Sequence, residues 1–135
     1  VLIVPTFGAL TLANRLRAAA NDGPAWVVRL FQNDYIPTLD TTAADLIEPT
    51  WPGYGAKTLF FPSAAELVDG EAVLTAAPVN WVCLIQIPPQ PIYGYWVQID
   101  GVFFAAERVT PKTWVEFSGQ AYWLTLRLTN TSKYG

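Results

Sequence analysis

Residues 92–108 read IYGYWVQIDGVFFAAER. Two runs of β-branched and aromatic residues flank Asp100-Gly101, and an Asp-Gly pair readily adopts the positive φ angles of a two-residue type I′ turn. A β-hairpin is expected, 92–99 against 102–108. Similar runs recur from Trp26 onward: 26–32, 56–61, 71–76, 79–87, 113–118 and 120–129. In 79–87, Val79, Trp81, Cys83, Ile85 and Ile87 alternate toward one face. In the last run, Tyr122, Leu124, Leu126 and Leu128 alternate toward a core, and Trp123, Thr125, Arg127 and Thr129 away from it. About eight short strands, punctuated by eleven prolines and nine glycines, point to a mainly β protein. The expected fold is a single antiparallel β-sandwich or jelly-roll-like domain over 1–135.

One helix is expected, over 9–20, with Leu12, Leu16 and Ala20 on one face and Thr11, Arg15 and Arg17 on the others. Asn21-Asp22-Gly23-Pro24 should end it. Residues 1–7, VLIVPTF, are either an apolar N-terminal arm or a first edge strand, and 130–135 a loose tail.

The chain has no histidine, which excludes His-dependent nucleophile systems and most zinc, copper and non-haem iron sites. No glycine-rich phosphate loop is present, and none of the three serines sits in a nucleophile elbow. Carboxylate chemistry remains. Glu107 and Glu116, on strands expected to be neighbours, are a conceivable glycosidase pair, although solvated strand charges explain them more simply. No enzyme activity and no cofactor are expected. The net charge of −3 and eight scattered Lys and Arg residues argue against nucleic acid. No apolar run reaches a membrane-spanning length, and VLIVP lacks the features of a secretory signal. Cys83, alone in an apolar run, reads as a buried thiol.

Residues 31–54, FQNDYIPTLDTTAADLIEPTWPGY, gather Asp34, Asp40, Asp45 and Glu48. Their spacing is not that of a calcium loop. Asn33-Asp34 suits a turn, and Thr42 to Asp45 matches a capping box, with Asp40 just before it. Structural roles are therefore expected, with a bound ion as the alternative.

Hydrophobic residues make up 52% of the chain and charged residues only 14%, against about 25% in ordinary globular chains. So little charge leaves apolar surface for contacts. Trp51, Tyr54, Tyr93, Tyr95 and Trp96 form either a sugar-stacking platform or core and interface packing. The interface candidates are Val1, Leu2, Ile3, Val4, Phe7, Trp51, Tyr54, Tyr95, Trp96 and Trp123.

Several motifs carry a resemblance. They are Val4-Pro5, the strand closing Leu30 to Asp34, Pro37-Thr38, Thr41 to Glu48, and Pro52-Gly53-Tyr54, with AVLTAAPVNW (72–81) and IYGYWV (92–97) further on. The chain resembles small β-rich virion proteins of tailed bacteriophages. The resemblance implies a virion component, expected as a capsid decoration (cement) protein on the capsid exterior that bridges capsomers. A tail, fibre or baseplate component and a carbohydrate-binding module are the alternatives. The implied partners are the major capsid protein or other virion proteins, and a homo-oligomer with a trimer favoured.

Overall fold

The structure, a computed structural model, describes residues 6–22 and 26–131. It is mainly β, with antiparallel sheets and one helix. Helix α1 (Thr6–Asp22) is followed by strands β1 (Trp26–Phe31), β2 (Lys57–Thr58), β3 (Glu66–Val68), β4 (Glu71–Thr75) and β5 (Val79–Val82). Then come β6 (Gln90–Ile99), β7 (Val102–Val115), β8 (Ala121–Leu124) and β9 (Arg127–Thr131). The strands are ordered β2-β1-β6-β7, β3-β4-β9 and β5-β8.

The expected hairpin is present. Ile99 pairs with Val102 across Asp100 and Gly101, whose φ angles are 52° and 76°. Several boundaries differ from expectation. The helix starts at Thr6, so the last two residues of the expected arm are helical, and β9 carries Asn130 and Thr131 of the expected loose tail. The runs 102–108 and 113–118 contribute to one strand, because the register jumps from Gly94↔Arg108 to Ile92↔Thr113. Residues 109–112 thus bulge opposite Tyr93, a place where Pro111 costs no ladder bond. The run 120–129 instead splits between two sheets. Its alternation survives the split: Leu126 is buried and Tyr122, Leu124 and Leu128 half-buried, while Trp123, Thr125, Arg127 and Thr129 are exposed.

Two more runs are shorter than expected. Only Lys57–Thr58 of 56–61 is strand. In 79–87, the ladder stops after Val82, where the Cys83 amide donates to the Gln120 carbonyl and its carbonyl accepts from Gly119. Two residues opposite one break the period of two, and Ile85, expected on the same face as Trp81 and Cys83, is exposed while they are buried.

The chain gathers into two compact units. The first holds α1, Leu59–Pro78 and 124–131. Its helix packs on β4 and β9, and Ala13, Ala20, Leu59, Phe61, Ala72 and Leu74 are buried. Asn14, Arg17 and Asn21, spaced i, i+3 and i+7, share a helix face. Arg17 donates from Nε to the Phe61 carbonyl and from Nη2 to that of Pro62, both at 2.9 Å. Asn21 takes both backbone groups of Phe61, donating to its oxygen at 2.9 Å and accepting from its amide at 3.0 Å. Asn14 accepts from the Ala65 amide at 2.8 Å. The stripe supplies the hydrogen bonds that this irregular stretch lacks from a ladder. Arg17, expected off the Leu12-Leu16-Ala20 face, is part of it.

The second unit holds Trp26–Thr58 and Val79–Trp123, and with them all six tryptophans. In the four-stranded sheet, Trp26, Val28 and Leu30 are buried on one face. On the other, Phe31 and Trp96 form a cluster with Leu46 from the 32–56 connection. Rings continue from Tyr54 to Trp81 at 6.4 Å and from Trp81 to Tyr122 at 6.2 Å between centroids.

Candidate functional site

The connection between β1 and β2 is held at several points. Gln32 donates its amide to the Ile47 carbonyl at 2.8 Å. The Asn33 side chain donates to the Asp45 carbonyl and accepts from the Ile47 amide, both at 2.9 Å. Within the loop, the Thr41 hydroxyl is buried, accepts from the Thr38 amide at 2.7 Å and meets the Tyr35 hydroxyl at 3.2 Å. The expected capping box opens the single helical turn at Ala43–Asp45, where the Thr42 amide donates to Asp45 Oδ2 at 2.8 Å.

The acidic residues of this loop are dispersed among separate partners. Asp34 pairs with Arg108 at 2.5 Å, and Arg108 also donates to the Tyr35 carbonyl. Glu48 pairs with Arg29 at 3.1 Å and accepts from the Tyr54 hydroxyl at 2.7 Å. Arg29 in turn donates to Gln98 at 2.9 Å and lies 5.8 Å from the Trp96 ring centroid. The Tyr54 oxygen also accepts from the Leu30 amide at 3.0 Å, on the edge of β1 beyond its pairs with β2. Burial, then the bond to the Glu48 carboxylate, pushes the Tyr54 phenol well above its usual range. Burial and a bond to Glu107 do the same for Tyr95, and burial alone raises Tyr122. Among the described residues no three of His, Cys, Asp and Glu come together as metal ligands would. Glu107 lies in β7 and Glu116 just past the end of that same strand, so the two are not on neighbouring strands.

The interface candidates fall into three groups. Val1, Leu2, Ile3 and Val4 lie outside the described residues, as does the side chain of Phe7. Trp51 and Trp96 are buried, 2% and 4% exposed, which corrects their expected place at a contact and leaves no stacking platform built on them. The apolar rings are drawn into the core despite indole N–H groups that find no acceptor among the described residues. Tyr54 and Tyr95 are half-buried with their hydroxyls bound to carboxylates. Trp123 is 64% exposed.

Most of the exposed apolar surface was not predicted. In the second unit, Val82, Leu84, Phe117 and Trp123 are exposed on paired or adjoining stretches. The chain is stitched there by Ser118 to the Leu84 carbonyl and by Leu84 to the Pro52 carbonyl. Gly53 sits below, at φ 102°, where any side chain would strike the Val82 carbonyl. Leu39 is fully exposed at a turn beside a groove of about 470 Å³, lined also by Pro37, Phe103 and Phe104. Tyr93 lies between the Arg108 and Lys112 cations, at 5.0 and 5.1 Å, and Lys112 reaches an exposed Trp114 at 5.3 Å. A sequence signal existed for part of this: Leu84-Ile85-Gln86-Ile87-Pro88-Pro89 is apolar where the alternation fails. None existed for Leu39, which lies in a turn.

Compared with family models, curated proteins and solved structures, the chain matches none.

Proposed function

We propose that this chain is a non-enzymatic virion structural protein of a tailed bacteriophage, a capsid decoration protein that bridges capsomers on the shell exterior. The observation that carries the contact role is the exposed apolar and aromatic surface of Val82, Leu84, Phe117 and Trp123 on a backbone fixed by hydrogen bonds. Such a surface is characteristic of a protein that binds protein. The virion setting rests on the sequence resemblance alone. The proposal includes a β-sandwich module over 1–135. It also includes a homo-oligomer, a trimer by preference, with the major capsid protein as partner. Several weak contacts per copy would add through multivalency.

Co-sedimentation with purified empty shells of a matching phage tests the reading. Saturable binding at hundreds of copies per shell is expected. Binding restricted to tails would move the protein to the tail, fibre or baseplate, and no binding to either would overturn the virion assignment.

A further inference from the structure

The first unit has a pocket of about 330 Å³ with an apolar wall from Pro62, Val68, Val73, Ala76 and Pro78. Arg127 lines it and has no hydrogen-bond or ion-pair partner among the described residues. The second unit holds a matching element. The turn at 38–41 is braced by Thr38 Oγ1 accepting from the Asp40 amide at 3.3 Å and by the Thr41 amide donating to the Thr38 carbonyl at 3.2 Å. It displays a fully exposed Leu39 followed by Asp40, whose exposed carboxylate also has no partner among the described residues. A braced turn loses little conformational entropy on docking.

We propose that the Leu39-Asp40 turn of one copy docks in the Arg127 pocket of a second copy, Leu39 against the apolar wall and Asp40 paired with Arg127. This deepens the homo-oligomer part of the reading above and rests on it. The charge match selects the occupant: an apolar side chain next to a carboxylate is what an apolar wall next to an unpaired guanidinium accepts. Leu39 is uncovered, and neither charge has a partner among the described residues. Glu66, on the opposite wall, lies two strands from Arg127, roughly 10 Å away at ordinary strand spacing. Asp40 is therefore directed to the Arg127 end. Made once, a turn-to-pocket contact is heterologous and repeats head to tail, closing into a ring when its rotation divides a full turn; made twice about a twofold axis, it gives an isologous dimer.

Sedimentation velocity of the full chain over a concentration series tests this with Asp40→Arg, Arg127→Asp and the double variant. Each single variant should weaken association by at least about tenfold, and the double variant should restore it to within about threefold. Both residues are exposed, so circular dichroism and melting should be unchanged. Leu39→Ser should weaken association without rescue by either charge change. A wild-type oligomer indifferent to the single variants, or single losses that the double variant does not repair, overturns this contact and leaves the homo-oligomer standing. A wild-type chain monomeric throughout overturns both, while shell co-sedimentation still judges the virion reading separately.

Discussion

The two units hold their irregular stretches through different spans of chain. In the first, irregular backbone at 61–65 is held by neutral amides and one guanidinium reaching from a single helix face. In the second, the Asn33 amide likewise binds irregular backbone at 45–47. Side chains of the long connection are also tied into a web of rings, a carboxylate and a guanidinium drawn from β1, β6 and the connection itself. The helix places its polar groups by local geometry alone. The web requires the sheet to exist first, because Arg29, Glu48, Tyr54, Trp96 and Gln98 meet only when β1 pairs with β6 and the long connection returns. The first arrangement should therefore fail piecewise and the second as a whole.

The largest effect should follow removal of a ring that the web shares. Trp81 is fully buried between Tyr54 and Tyr122 and donates its indole N–H to the Gly55 carbonyl. Trp81→Ala should destabilise by about 3–5 kcal/mol in urea unfolding. A loss near 1 kcal/mol would mean that the ring series is not the centre of the second unit. Next comes Asn21→Ala, which removes two hydrogen bonds to the Phe61 backbone while the Arg17 bond to its carbonyl remains, and should cost about 1–2 kcal/mol. Hydrogen exchange would sharpen the contrast: the change should expose amides of 61–65 and spare those of β6.

A smaller effect concerns alkaline pH. The raised Tyr54 phenol keeps its proton in the folded state at pH values where the unfolded chain loses it, so its contribution is complete below about pH 10 and declines as pH rises beyond. Urea midpoints should fall between pH 9 and 11, and Tyr54→Phe should flatten that slope. An unchanged slope would separate Tyr54 from the web. Smallest of all is Trp123→Ala, which should alter stability by less than about 0.5 kcal/mol yet weaken shell binding. A large loss of stability would place that ring in packing rather than contact.

The residues whose neighbours are close in sequence were legible. The Asp100-Gly101 turn, the Thr42–Asp45 box and the alternation of 122–129 follow from dihedral preferences and a period of two, and all three are present. The stripe Asn14, Arg17, Asn21 shares the helix period, but the expected helix stops at Ala20, and its target at 61–65 was not legible, since only tertiary folding brings that backbone beside the helix. Trp51 and Trp96 show the opposite limit. An aromatic residue has the same composition signal in a core and at a contact, and only the packed sheet put them inside and left Leu39, Leu84 and Trp123 outside. The sequence by itself determined a mainly β chain with one helix, too few charges to cover its surface and no histidine chemistry. The tertiary structure decided which apolar groups face water, because burial is settled by which strands pair, and in this chain β1 and β6 pair residues as far apart as Trp26 and Ile99.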